Sequence, residues 1–277
     1  MLGSLQRMAT VATVTEAIER RYPPGLASHW DSVGLVCGEP AASVHRIMLA
    51  VDPVIEVVDE ALLVQADLVI THHPLFLSGA HGVAADDPRG RIVHELISHG
   101  IALYAAHTNA DHADPGVSDA LATALGLTDL RPLVPDAPGS RTGIGRVGTL
   151  PRAVPLMKLA DHLAAVLPAT HHGVRVAGDP TSLVTTVAVC GGSGADLLDA
   201  AAQVADAYVT SDLKHHRTQD HLAAGGCAVF DVAHWAGEWL WLPVLAEELA
   251  GDLGSTVEVL VSRISTDPWT AHVRSPR

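Results

Sequence analysis

Two stretches of this chain repeat one pattern, and that repetition constrains the fold more than any overall property of the sequence. Ala66-Asp67-Leu68-Val69-Ile70-Thr71-His72-His73 resembles Ala205-Asp206-Ala207-Tyr208-Val209-Thr210-Ser211-Asp212. Each runs from Ala-Asp through an apolar stretch and a threonine into a polar cluster. The surroundings repeat as well. In the first half, residues 46–51 read as an apolar strand ending at Asp52-Pro53 and 54–65 as a helix. Residues 67–71 read as a second strand, closed by Pro74, which cannot donate to a ladder. A Gly- and Asp-rich connection (79–90) leads to a helix at 91–98, ended by Gly100, and a third strand at 101–105. In the second half the same order falls at 183–189, 195–204, 207–210, 218–224 and 227–230, with Gly191-Gly192-Ser193-Gly194 read as a strand-to-helix loop.

A strand, helix, strand pattern recurring at this distance predicts two related α/β lobes with mixed sheets flanked by helices, not a short-period solenoid. The boundaries expected are 1–127 for the first lobe, with the C-terminal helix as a candidate to complete it, a turn-rich linker at 128–143, and 144–277 for the second lobe. Ligands of open α/β sheets collect at the C-terminal ends of strands, so a metal cleft is expected between the lobes. Residues 1–19 read as a polar lead and then a helix capped by Thr13 or Thr15, not as a signal peptide. The tail at 267–277 is expected to fray.

Hydrophobic residues make up 48% of the 277, but aromatic ones only 4%, so the core is expected to be Val, Ala and Leu, as suits buried parallel strands. No apolar run is long enough for a membrane span. Seventeen Lys and Arg against 31 Asp and Glu give a formal charge of -14, which repels phosphate backbones and disfavours nucleic acid as a partner. A small anionic ligand stays compatible, because bound cations reverse the sign locally. Cys37, Cys190 and Cys227 are far apart and form no CxxC pair, favouring reduced thiols in a cytoplasmic protein.

Histidine is in excess, with 17 in the chain, and several stand at predicted strand ends. Neighbouring residues of an extended strand point in opposite directions, so His72 and His73 would serve two ions, or one ion and a contact behind it. His107 and Asp111 stand four residues apart after another strand, as do His234 and Glu238 at the entrance to the last long helix, 238–249. If that helix begins at or before Trp235, the second pair shares one face. Nitrogen and carboxylate donors without thiolate suit Zn, Fe, Mn or Co. Two such ions need an anionic bridge, from Glu238 or Asp111, and together they activate water for hydrolysis. His107, Asp212 and His215 are the candidates for acid–base work, with Lys214 and His216 beside them, although a solvated turn would explain 212–216 almost as well. The glycines at 191–194 expose amides that suit an anion, and tight helix–sheet packing accounts for them more simply.

Five blocks in order carry a family resemblance: Trp30-Asp31-Ser32-Val33-Gly34-Leu35, Ile70-Thr71-His72-His73-Pro74-Leu75, Tyr104-Ala105-Ala106-His107-Thr108-Asn109-Ala110-Asp111, Val189-Cys190-Gly191-Gly192-Ser193-Gly194 and His234-Trp235-Ala236-Gly237-Glu238. The chain resembles the Nif-three-like family, also called GTP cyclohydrolase type 2 homologs or dinuclear metal-centre hexameric proteins. That resemblance implies a two-lobed α/β subunit with the Nif-three-like fold, a toroidal homohexamer built as a trimer of dimers, and two divalent ions per subunit. It maps the ligands onto His72, His73, Asp111, His234 and Glu238, with His107 beside them. Glu238 is the expected bridge, and His72 and His73 are divided between the ions. The implied activity is a metal-dependent hydrolase for a small, nucleotide-like or phosphorylated compound; the alternative is a non-catalytic, metal-handling or regulatory ring. The chain lacks the domain that longer members insert between the halves. It departs from the family pattern at Ser32, where Asn is common, and at Ser211, where Gly is common; both changes spare the ligands and bear on substrate contacts.

Overall fold

The structure is a computed structural model that describes residues 9–274; the first part of the polar lead and the end of the tail lie outside the described residues. In chain order the elements are α1 (Val11–Arg21), β1 (Gly34–Cys37), β2 (Arg46–Ala50), α2 (Ile55–Leu63), β3 (Leu68–Thr71), α3 (Pro88–Ser98), β4 (Ala102–Ala105) and α4 (Thr108–His112). They continue as α5 (Val117–Ala124), β5 (Thr128–Pro135), β6 (Gly143–Pro155), α6 (Leu156–Val166), β7 (Val174–Ala177), β8 (Leu183–Ser193), α7 (Leu198–Val204), β9 (Ala207–Ser211), α8 (His215–Ala223) and β10 (Ala228–Val232). The chain closes with α9 (His234–Trp239), α10 (Trp241–Leu253) and β11 (Glu258–Val261). No helix among the described residues is long and apolar enough to cross a membrane.

The chain forms two compact units, residues 1–110 with 242–264 and residues 111–241 with 265–277. In the first, the sheet order is β1-β4-β3-β2-β11, with β1 antiparallel to β4 and the other neighbours parallel. In the second, the order is β5-β6-β8-β9-β10-β7. There β8, β9 and β10 are parallel, and β5, β6 and β7 are antiparallel to their neighbours. Both sheets are therefore mixed, and both bury a parallel centre. The cores are aliphatic, with Met48, Val58, Val69 and Leu103 in the first unit and Val147, Ala188, Leu198 and Val229 in the second.

The sequence repeat is also a repeat of hydrogen bonds. Asp67 opens β3, and its Oδ2 accepts the backbone N–H groups of His45 and Arg46 at 2.7 and 2.9 Å. Asp206 opens β9, and its Oδ2 accepts those of Thr185 and Thr186, both at 2.8 Å. Each aspartate thus ties the start of its strand to the preceding parallel one, which fixes the register that places the polar cluster at the far end. Two glycines form a second pair of landmarks, of which only the turn at Gly178-Asp179-Pro180 is read from the sequence. Gly38 and Gly178 follow β1 and β7 with φ of +117° and +138°. A Cβ would lie 2.5 Å from Ala102 Cβ at the first and 2.8 Å from Ala228 Cβ at the second. Only glycine accepts both that backbone and that approach.

Several boundaries differ from expectation. The units divide at residue 110, not 127, because α5 is anchored to the second sheet. Buried Arg146 of β6 pairs with Asp119 of α5 at 2.8 Å and donates to the carbonyls of Gly143 and Ala113. The expected linker at 128–143 contains β5, an edge strand, where Pro132 and Pro135 are tolerated because the outer side needs no ladder donor. The glycines read as a loop at 191–194 instead largely continue β8, which runs to Ser193. Thr10, not Thr13 or Thr15, caps α1, in a reciprocal capping box with Thr13. The expected helix at 238–249 begins earlier, as α9 at His234, and is followed by α10. Strands β1 and β11 had no counterpart in the sequence reading.

Candidate metal centre

In the first unit, β3 stops at Thr71, although His72 and His73 still donate N–H to Ala50 and Val51 at 3.1 and 2.9 Å. Thr71 Oγ1 donates to His73 O at 2.8 Å, so the chain is already turning. The strict alternation expected of a strand therefore does not hold here. The two rings lie with centroids 5.2 Å apart, and His107 stands edge-on to both at 5.2 and 5.5 Å. One nitrogen from each of His72, His73 and His107 falls within 4.8 Å of the others. His72 is fully buried, and the other two are half-buried.

Each ring is held through Nδ1. His72 Nδ1 lies 2.9 Å from Ala106 O, and since a carbonyl only accepts, this nitrogen carries the proton and donates. His73 Nδ1 lies 2.6 Å from Asp52 Oδ1, and His107 Nδ1 lies 2.8 Å from Asp31 Oδ1. Asp31 also accepts from the backbone N–H groups of Ser32 and Thr108 at 2.7 and 3.0 Å. Burial pushes its carboxyl up. The hydrogen bonds from His107 and Thr108, with the His107 charge, more than offset this and hold it well below the usual carboxylate range. Ser28 N also donates to Thr108 Oγ1 at 2.9 Å, so the 28–32 loop is pinned, and exposed Trp30 meets the His107 ring edge-on at 6.0 Å.

In the second unit, α9 brings His234 and Glu238 onto one face as the i,i+4 spacing predicts, with Nε2 2.9 Å from Oε1. Glu238 is only 3% exposed. His234 Nδ1 lies 2.6 Å from Asp212 Oδ2. Asp212 follows β9 at φ +58°, a left-handed conformation that Asp tolerates better than most residues. Asp212, expected as an acid–base group, thus acts on a ring rather than standing alone.

The glycines of β8 make room for this pair. A Cβ on Gly192, whose φ is +70°, would lie 2.3 Å from Glu238 Oε1 and 3.1 Å from His234 Nε2. A Cβ on Gly191 would lie 2.9 Å from Val117 Cγ1. Close packing, not an open anion loop, is what these glycines provide. Asp111 lies in α4, with its Oδ1 buried. Burial, followed by the Asp111 and Glu238 charges, pushes the nearby Cys190 thiol up.

His215 stands elsewhere in this unit. It opens α8, exposed, with its ring edge-on to His216 at 5.1 Å, and lines a 430 Å³ cavity with Arg175 and Asp231. The sequence reading assigned no role to Asp31 or Asp52. The signal available was positional: Asp52 ends a strand beside the one carrying His73, and Asp31 sits inside the Trp30–Leu35 block.

The chain matches the family described as Duf34/NIF3 (NGG1p interacting factor 3) over residues 9–268. It is 50% identical to the "GTP cyclohydrolase 1 type 2 homolog" of Streptomyces coelicolor, covering 97% of this chain and 96% of the relative. It is 36% identical to the protein of the same name from Mycobacterium bovis, covering 94% and 96%. Among solved structures, a Bacillus cereus protein related to NIF3 superposes with a TM-score of 0.87 at 25% identity, covering 95% of this chain and 99% of that one.

Proposed function

The chain belongs to the Duf34/NIF3 family, and from that premise we propose a metal-dependent hydrolase. In this reading His72, His73, Asp111, His234 and Glu238 would hold two divalent ions, with Glu238 a ligand to both, and the substrate is a small nucleotide-like or phosphorylated compound.

The observation that carries the reading is the common orientation of four histidines. His72, His73, His107 and His234 each direct Nδ1 at a protein oxygen, at 2.6 to 2.9 Å. An oxygen at Nδ1 fixes the tautomer with its lone pair on Nε2. Three of the four partners are carboxylates, which also make the ring a stronger donor to a cation, the recurring support of metal-binding histidines. The donor set fits a hard-to-borderline divalent ion, and the Gly192 approach leaves space that a side chain would fill. When bound, two such ions supply Lewis acidity and make water a nucleophile near neutral pH.

The chain's own residues supply the rest. Asp52 and Asp212 keep His73 and His234 in one rotamer. Asp31 orients His107, which receives a proton at Nε2 from the attacking water and returns it to the leaving group. His215 is left out of this acid–base work. The resemblance also carries a toroidal homohexamer into the proposal, to be measured by light scattering.

The relatives' shared name ends in "homolog", so GTP ring opening enters as one reaction among several. The test is a screen of phosphorylated and nucleotide-like metabolites with the native metal retained. Turnover abolished by a chelator and restored by the metal is expected. A fully metal-loaded protein that hydrolyses nothing, yet exchanges its ions reversibly, would replace this reading with a metal-handling one.

A further inference from the structure

A cavity of 740 Å³ opens beside His73 within the first unit, in the size range of small-molecule sites. Its walls come from the start of α2, the start of α3 and the connection before α3. The last of these is packed rather than loose, because a Cβ on Gly90 would meet Ala84 O at 2.0 Å. His73 and Asp52 line it, as do Arg89 and Arg91 from α3.

The cavity carries charges of both signs. Four carboxylates face it: Asp52, Glu56, Asp86 and Asp87. Two are committed. Asp52 holds His73, and Asp87 caps α3 by accepting the N–H groups of Arg89 and Gly90 at 2.9 and 3.0 Å. Neither guanidinium group makes an ion pair with a carboxylate among the described residues. With His73 neutral, four carboxylates against two guanidinium groups leave the lining formally acidic, so an anion would be held here by directed donors and not by the general field. Its other helix adds donors. Val54 begins α2 without a side-chain cap, and the first helical bonds to Val54 O come from Val57 and Val58, so the amides of Ile55 and Glu56 stand ahead of them.

We propose that this cavity is the substrate pocket, and that Arg89 and Arg91 bind a phosphate group of the substrate. The inference rests on the metal-dependent reading given above and names the substrate's chemical class. Two guanidinium groups and a helix N-terminus are donors suited to a phosphate anion. A volume of 740 Å³ also accommodates the body of a mononucleotide-sized compound.

The test uses the as-purified, metal-retaining protein and p-nitrophenyl phosphate as the probe, with affinity read by titration calorimetry. Arg89→Gln/Arg91→Gln is expected to weaken binding by about tenfold or more, with metal content unchanged. Arg89→Lys/Arg91→Lys is expected to recover part of the affinity, since lysine keeps the charge but not the fork. Arg131→Gln/Arg152→Gln, which removes the same charge from exposed sites on β5 and β6, serves as control and is expected to bind as wild type does. Equal affinity in the Arg89/Arg91 variant, equal weakening in the control, or no binding to wild type at millimolar probe each overturns the proposal. Binding and turnover separate the two readings. Arginine-dependent binding without hydrolysis of any compound keeps the pocket and removes the hydrolase.

Discussion

The ends of β3 and β9 occupy the same place in two related units and do different work. Both strands begin at an aspartate that ties them to their neighbour, and both end after a threonine. At the end of β3 stand two histidines, whose rings the proposed function assigns as nitrogen donors for a cation. At the end of β9 stand Ser211 and Asp212, and the carboxylate turns instead to hold His234, supplied by α9. In the proposed reading one strand end thus presents ligands directly and the other positions a ligand from elsewhere. The aspartate hydrogen bonds that tie each strand to its neighbour lie at the opposite end, so different strand ends are compatible with the same sheet register.

The largest way to break this comparison is Gly192→Ala. The added Cβ would meet Glu238 Oε1 at 2.3 Å on a backbone with φ +70°, so the carboxylate must move. Loss of most bound metal is expected by elemental analysis, with strain of about 1–3 kcal/mol seen in denaturant unfolding. Next come the paired orienting carboxylates. Asp52→Asn and Asp212→Asn are each expected to weaken metal binding by about 10- to 100-fold in competition with a chelator. A large effect at one and none at the other would mean that the two units do not share this device. The smallest effect concerns the scaffold alone. Gly38→Ala and Gly178→Ala are each expected to cost about 1–3 kcal/mol in unfolding free energy while leaving metal content unchanged. Markedly unequal costs would show that the two turns are not equivalent.

Much of this was legible in the chain. Alternating apolar stretches and terminators located most strands, and the repeated Ala-Asp segments foretold two lobes. The i,i+4 spacing correctly put His234 and Glu238 on one helix face, since a helix fixes side-chain direction locally. What was not legible depended on contacts between distant segments. Asp31 and Asp52 matter because tertiary structure sets them against His107 and His73, 76 and 21 residues away. Strand β5 was hidden by prolines that only an edge position permits. The Gly191-Gly192 pair read as a loop because its reason, the approach of Glu238, lies on another element. His72-His73 defied alternation because the turn made by Thr71 is a side-chain hydrogen bond, invisible to a pattern of polarity.

The central claim is a two-metal centre in which Glu238 is shared. Elemental analysis of the purified wild-type chain and of Glu238→Gln tests it most directly, because the substitution removes a charge at almost no change in shape. Two divalent ions per chain in the wild type, and no more than one in the variant with an unchanged circular dichroism spectrum, is the predicted result. Two full ions per chain in Glu238→Gln would contradict it.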